Sequence, residues 1–409
     1  MNVKSVVKNT VMLYGLSIAK ILFPFLTLPY LTRVLSVEAY AGVSYVKSTM
    51  VYMQLLVDFG FVLSATKDIV DANTDREKIE KIIADTLLGK LILCAGAFFA
   101  LLVAIAFVPI LGENATYTVL SFVSVLLSCF LMDFLFRGIE KMEVITIRFV
   151  LMRGISTILT FVFVHNDSDI LWIPILDAIG SVAAVLLVLK EIHSMGLKIR
   201  RGKLHSALEK LAVSWTYFIS NMATTAFGAL NTLLIGIFIA KNEVAYWTVA
   251  FQVISAVQTL YTPITEGVYP EMMRSKNFSV ILRILKIFMP LIVIGCLVMY
   301  VLADIALWVV GGTKYIVAEP VLRALIPVLM FSFPGMLLGW PSLGAIGRIR
   351  ETSRTTVVTA VVQVIGLFLL IAMNAFTLIN IALLRGATEL LMFLLRARYC
   401  WVYRFDFRS

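Results

Sequence analysis

The sequence predicts an all-α integral membrane protein of about twelve transmembrane helices, and three observations predict it. First, 60% of the 409 residues are hydrophobic and only 15% are charged, whereas a soluble domain is nearer half apolar and a quarter charged. Second, the mean hydropathy of +0.95 describes a chain without enough polar surface to cover itself in water, so lipid must be its solvent. Third, the apolar residues are gathered into runs of roughly 20, the length that crosses a bilayer core. The net charge of +10 would suggest nucleic acid in a soluble protein; here the placement of the charges follows membrane topology, and no nucleic-acid partner is expected.

Taken in order, the first run covers 10–32. It is too long for the apolar region of a secretory signal and no small-residue cleavage site follows it, so it is expected to be a span. Runs near 40–63, 86–110, 117–136, 144–164 and 170–189 complete a first set of six. A second set lies near 213–240, 244–270, 281–304, 321–345, 355–374 and 378–395. Lys and Arg alternate with these spans. One side takes Lys4 and Lys8, then Lys67, Arg76, Lys78 and Lys81, then Arg137 and Lys141, then the cluster from Lys190 to Lys210. Arg274, Lys276, Arg283 and Lys286 follow, then Arg348, Arg350 and Arg354, then the tail from Arg396 to Arg408. The other side takes only Arg33, Lys241 and Lys314. The positive-inside rule therefore places both termini in the cytoplasm.

The longest basic loop, Lys190 to Lys210, divides the chain into an N-lobe of six helices (1–200) and a C-lobe of six helices with a short basic tail (201–409). An even number of spans gives both lobes the same orientation, as in parallel-repeat transporters. Glu38-Ala-Tyr40 and Glu243-Val-Ala-Tyr246 open the second span of each lobe as a faint echo of such a repeat. The outer loops are little more than turns, so no extramembrane catalytic domain is expected on either face. Four cysteines, three in spans and Cys400 in the tail, and three histidines in predicted loops offer no metal-ligand spacing. No P-loop is present. No cofactor, metal site or catalytic set is expected, and the chain reads as a transporter rather than an enzyme.

An ionisable side chain at mid-membrane costs roughly 2.5–3.5 kcal/mol on insertion scales and so marks function. Lys20, Lys47 and Arg153 stand inside spans one, two and five, as candidate cavity cations. Asp177, Glu266 and Asp58 are candidate coupling residues, although Asp58 could pair with Lys67. Arg385 and Glu389, four apart, can satisfy each other. Periodicity sharpens this. Tyr40, Lys47, Gln54 and Asp58 form one stripe on the second span, and Asn9, Lys20 and Thr27 one on the first. Asn221, Thr224, Gly228 and Asn231 stripe the seventh span; Ser255, Thr259, Thr262 and Glu266 stripe the eighth. Polar faces avoid lipid, so Gln54, Asn221, Thr224, Asn231, Ser255 and Thr262 are expected to line a shared cavity. Its cationic N-terminal half suits an anion. Prolines 24, 29, 263, 290, 327 and 334 are candidate kinks. The tail Arg396 to Arg408, with Trp401, Tyr403 and Phe405, reads as an interfacial anchor on membrane lipid.

The stretch Leu31-Thr-Arg-Val-Leu-Ser-Val-Glu-Ala-Tyr40, with Leu55-Leu-Val-Asp-Phe-Gly60 and Leu63-Ser-Ala-Thr-Lys-Asp68, resembles the N-terminal signature of the Wzx-type O-antigen flippases. Phe136-Arg-Gly-Ile-Glu-Lys-Met142 and the segment from Tyr246 to Pro270 resemble that family too. The likeness covers the whole chain in layout and roughly the first 145 residues in motif. At 409 residues the chain is short for the family, and Arg137 stands where the family often has glutamine. The resemblance implies a member of the multidrug/oligosaccharidyl-lipid/polysaccharide exporter superfamily, with two six-helix, MATE-like lobes around a central cavity. It implies a bacterial inner-membrane flippase for a polyprenyl-pyrophosphate-linked oligosaccharide, such as an O-antigen unit, with other polysaccharide assembly proteins as partners. Lys20, Lys47 and Arg153 would meet the diphosphate. Coupling to a proton or sodium gradient or to the membrane potential would drive export. A MATE-like multidrug antiporter, favouring an acidic cavity, and a polytopic polysaccharide-assembly enzyme, requiring a sizeable outer loop, are the alternatives.

Overall fold

The computed structural model describes the backbone of residues 3–73, 75–226 and 228–407, and their side chains except at 3–11, 13, 220, 223, 224 and 226. Its regular structure is helical. The first half comprises α1 (Val3–Val34), α2 (Val37–Asp58), α3 (Phe61–Ala72), α4 (Arg76–Phe107), the single turn α5 (Pro109–Gly112), α6 (Ala115–Ser128), α7 (Asp133–Gly138), α8 (Met142–Phe163) and α9 (Trp172–Ser194). After the basic loop come α10 (Leu204–Ala226), α11 (Ala229–Phe238), α12 (Lys241–Thr259), α13 (Thr262–Ser275) and α14 (Phe278–Val301). The last four are α15 (Ala303–Gly311), α16 (Glu319–Leu337), α17 (Ile349–Ala372) and α18 (Leu378–Val402).

Ten stretches among the described residues are long and apolar enough to cross a membrane. They account for expected spans one to six and nine to twelve. The seventh and eighth spans are interrupted, the seventh between α10 and α11 and the eighth between α12 and α13. Local chemistry explains the breaks. Pro263, in the first turn of α13, has no N–H to return to the preceding turn. Phe59 and Gly60 adopt φ of 41° and 81° and divide α2 from α3, as Met132 at φ 49° divides α6 from α7. In the tenth span Pro341 lies in a wide turn, Leu338–Gly344, where Gly339 leaves helical geometry. The second and fourth spans of each half are thus broken, a stronger internal echo than the Glu–Tyr pairs. Starts are set by side chains: Ser36 accepts the N–H of Ala39, Asp75 that of Lys78 and Thr377 that of Asn380, each satisfying an orphan donor.

The chain forms two compact units, Met1–Met222 and Ala223–Ser409. The boundary lies inside α10 rather than at 200/201, because the first half of α10 is bound into the N-terminal unit. Ser64 and Ser214 share a hydrogen bond of 2.7 Å, Lys210 pairs with Asp68, and Phe218 stacks on Phe59 at 4.5 Å. At Gly60 a Cβ would stand 2.6 Å from that of Tyr217, so the αL break and the close approach both require glycine there. The basic loop is also held down. Glu80 and Asp85, both buried, accept the backbone N–H groups of Lys198 and Lys203 at 2.9 Å, and Arg200 pairs with Glu80 at 2.6 Å.

Within the N-terminal unit α8 lies against α1 and α9, and α2 against α4 and α6. Phe134, Phe136, Ile83 and Val188 fill one core layer, and Val57, Leu101, Phe122 and Cys129 another. Within the C-terminal unit α16 packs between α12, α14 and α18. Cys400 belongs to this packing, not to a tail: α18 runs on to Val402 and buries it. Arg396 is likewise 8% exposed and donates to the Gly335 carbonyl at 2.7 Å and to Thr355 and Thr356. It is a structural cation and not part of the anchor expected from the sequence. Arg404 remains outside, over the rings of the exposed Trp401 and Phe405. His193 and His205 lie in helical end turns rather than loops.

Candidate substrate-binding site

The stripe read on the second span survives as one face of α2. Lys47 is exposed midway along it, and the charges acting most on it are those of Asp177 and Arg153. Arg153, on α8, lies 3.6 Å from Asp177 on α9. Ser156, one turn beyond Arg153, donates to Asp177 at 2.5 Å. One cation, one carboxylate and a hydroxyl therefore meet between α8 and α9, and the exposed Lys47 of α2 adds a second positive charge within their electrostatic reach.

Two turns or more further along α2 the face changes character. Asp58 accepts Gln54 Nε2 at 2.9 Å and Lys90 Nζ at 2.8 Å. The expected partner Lys67 is exposed on α3, while Lys90 has a side chain only 4% exposed. Asp58 turns inward because α2 ends there, at the Phe59–Gly60 break, facing α4. Asp133, at the start of α7, pairs with the buried Arg148 of α8. Lys90 and Arg148 were not singled out from the sequence, although ionisable residues within apolar spans are the signal that could have found them.

Lys20 is exposed on α1, which runs parallel to α8: Thr146 donates to the Met12 carbonyl at 2.9 Å and Tyr30 to the Val164 carbonyl at 2.7 Å, so Lys20 stands level with Gly154, close in height to Arg153. Its stripe partner Thr27 turns its hydroxyl back to the Phe23 carbonyl at 2.9 Å, and Asn9 lies outside the described side chains. Polar lining expected in the second half is dispersed. Asn231 is fully buried and accepts Gln363 Nε2 at 3.2 Å, and Gln363 in turn accepts the Thr388 hydroxyl at 2.8 Å, so Asn231 is a packing residue. Asn221, Ser255 and Thr262 are half-buried and Glu266 is exposed on α13; the side chain of Thr224 lies outside those described. Arg385 and Glu389 do pair, at 2.5 Å, with side chains 6% and 7% exposed. A separate cleft of about 470 Å³ at the basic-loop end is lined by Asp68, Asp71, Lys78, Lys81 and Lys210, none of them an expected site residue.

Solved structures similar to this chain include MATE transporters. An inward-facing multidrug resistance MATE family transporter of the MOP superfamily aligns over 93% of this chain and 95% of its own, with TM-score 0.74 and 15% identity. An outward-facing MATE transporter aligns over 96% of each chain, with TM-score 0.61 and 16% identity. At such identities the likeness establishes the fold alone: a MATE-type helical membrane fold. Sequence relatives are closer. A protein of Shigella dysenteriae named "Putative O-antigen transporter" is 29% identical over 66% of this chain and 68% of its own length. One of Escherichia coli (strain K12) with the same name is 28% identical over 66% and 65%. The profile of the polysaccharide biosynthesis protein family matches residues 6–276, and with so much of the chain covered, this multi-pass membrane protein belongs to that family.

Proposed function

We propose that the protein flips a polyprenyl-diphosphate-linked oligosaccharide, of the O-antigen repeat-unit kind, from the cytoplasmic to the outer leaflet of a bacterial inner membrane by alternating access. Family membership and the names of its relatives support this reading. The observation that carries it is the set of exposed cations within the membrane helices of the N-terminal unit, Lys20, Lys47 and Arg153. A diphosphate headgroup is the part of such a substrate least able to enter hydrocarbon, and lysine and arginine donors in a low-dielectric site are what it needs. Both termini and the basic loops are cytoplasmic in this reading. Other polysaccharide assembly proteins are its partners.

The membrane potential supplies a driving force, since an inside-negative potential favours outward movement of an anion by about 2.3 kcal/mol per charge per 100 mV. Asp177 and Glu266 are the candidates for proton or sodium coupling. Asp177 is engaged by Arg153 and Ser156, so its part is to release Arg153 to the substrate. Asp58, engaged by Lys90, is structural. The MATE fold alone would equally suit a multidrug antiporter; the net positive group around Lys47 disfavours cationic drugs.

The test is translocation of lipid-linked oligosaccharide in proteoliposomes, comparing wild type with Lys47→Ala and Arg153→Ala at matched insertion. Loss of one charge-assisted contact should slow transport about tenfold or more. Wild-type transport with both variants unimpaired would reject the site; drug export in place of sugar export would reject the substrate.

A further inference from the structure

Two spans of the N-terminal unit are broken, and each break lies beside a carboxylate. Asp58 is the last residue of α2, before the left-handed Phe59 and Gly60; Asp133 is the first of α7, after the left-handed Met132. Phenylalanine and methionine disfavour that conformation, and such residues persist where the surrounding structure holds them. Each carboxylate holds a cation on a helix that is not interrupted: Asp58 takes Lys90 of α4 at 2.8 Å, and Asp133 takes Arg148 of α8. Both carboxylates are 31% exposed, whereas the cations are 4% and 5% exposed. An apolar pair of similar volume is often at least as stable as a buried ion pair, so stability alone does not account for charges at both breaks.

The pieces beyond the breaks, α3 and α7, are meshed with each other. Thr66 Oγ1 donates to the Phe134 carbonyl at 3.2 Å. Gly138 lies so close to Ile69 that a Cβ would overlap its side chain, and Ala65 and Ile69 share a core with Phe134 and Phe136. The neighbours of this pair on α4 and α8 in that core are apolar: Ile79, Ile83, Val144 and Ile145. Among the described residues the one polar link from α3 or α7 to those two helices is Asp133 on Arg148. Apolar helix faces can slide past one another by small shears. The cleft of about 470 Å³ opens between α3 and α4, lined by Asp68, Asp71, Lys78 and Lys81, and leaves α3 space to move into. Ser64 and Asp68 tie α3 to Ser214 and Lys210 of α10.

We propose that α3 and α7 form one movable flap at the basic-loop end of the N-terminal unit, pivoting at Phe59–Gly60 and Met132 and latched by Asp133 on Arg148. Asp58 and Lys90 pin the end of α2 to α4, so the first pivot stays fixed while the flap swings. On release Asp133 moves to water on its exposed side. Arg148 stays buried and turns to the second carboxylate, Asp58, whose charge already reaches it. The first half of α10 travels with α3 through Ser64 and Asp68. The latch is independent of what the protein carries, so it stands or falls apart from the flippase reading.

The experiment is a distance measurement by double electron–electron resonance on the whole protein in phosphatidylcholine nanodiscs. Nitroxide labels are carried by Asp71→Cys, exposed on α3, and Lys190→Cys, exposed on α9. The half-buried Cys296 is changed to serine; the other three cysteines are buried. Two separated distances are expected. Asp133→Asn should raise the share of the second over the first about tenfold, and Asp133→Glu should return part of that change. Asp133→Leu with Arg148→Met strands no charge and holds α7 by apolar packing, so it should show the first distance alone; it carries the test if Asp133→Asn does not fold. Identical distributions in the wild type and every folded variant overturn the latch. Broadening of a single distance, with no second one, is local loosening and overturns it as well.

Discussion

Removing the carboxylate of Asp58 tests the buried charge balance most sharply. Lys90 Nζ lies 2.8 Å from Asp58 Oδ1, with side chains 4% and 31% exposed. At an effective dielectric of about 20 the attraction at that distance is about 6 kcal/mol. Asp58→Ala forfeits it and strands a buried ammonium, while water entering at the exposed side of Asp58 returns part. The net cost should be about 3 kcal/mol, the lower end for breaking a buried pair. Lys90→Met should cost only about 1 kcal/mol, because Asp58 keeps Gln54 at 2.9 Å and its path to water. Asp58→Leu with Lys90→Met should recover most of the loss, since an apolar pair of similar volume replaces a desolvated ion pair without penalty. The assay is thermal unfolding of purified protein in detergent, followed by tryptophan fluorescence. For a unit of this size about 3 kcal/mol corresponds to a shift of roughly 6–12 °C. Equal destabilisation by the two single changes, or a double variant no better than Asp58→Ala, would refute the reasoning.

Three further outcomes follow from contacts described above. Arg396→Met should destabilise the C-terminal unit by about 2–4 kcal/mol, since it removes the side-chain donor to the Gly335 carbonyl and a donor from each of Thr355 and Thr356; the same unfolding assay reads it. Ser64→Cys with Ser214→Cys should form a disulfide under mild oxidation, because the hydroxyls stand 2.7 Å apart; proteolytic nicking of the intervening loop then leaves one band on a non-reducing gel and two after reduction. Asp75 accepts the Lys78 N–H, which holds its carboxyl below the usual range. A lowered carboxylate contributes stability above its unfolded value of about 3.9 and loses it as pH falls through the folded value. Hydrogen-exchange protection at the start of α4 should therefore drop below about pH 4 in the wild type and not in Asp75→Asn, which keeps an accepting oxygen.

What the sequence made legible was governed by local rules. Apolar runs give the ten spans because bilayer thickness acts on each helix separately, and the period of α2 placed Lys47 and Asp58 on one face. Pairings between helices were beyond it. Asp58 was matched with the nearby Lys67, but its partner Lys90 is 32 positions on and meets it only through the packing of α2 on α4. Arg148 was passed over for Arg153, five residues later, because nothing in a single helix says which of two arginines buries itself against Asp133. Arg396 was assigned to a tail because hydrophobicity fades near 395, while the helix itself continues for another seven residues to Val402. Asn231 looked like a cavity donor until Gln363, on a distant helix, took it.

The grip of the N-terminal unit on the first half of α10 has a consequence for synthesis. When the first six spans have left the ribosome, the hydroxyl of Ser64, the carboxylate of Asp68 and the bare backbone at Gly60 still lack Ser214, Lys210 and Tyr217. The nascent bundle is therefore incomplete at the point where a six-helix repeat would nominally end. It can close only after the basic loop has been threaded onto Glu80 and Asp85 and the next helix has emerged, so the N-terminal unit is completed only by a helix made after its nominal six.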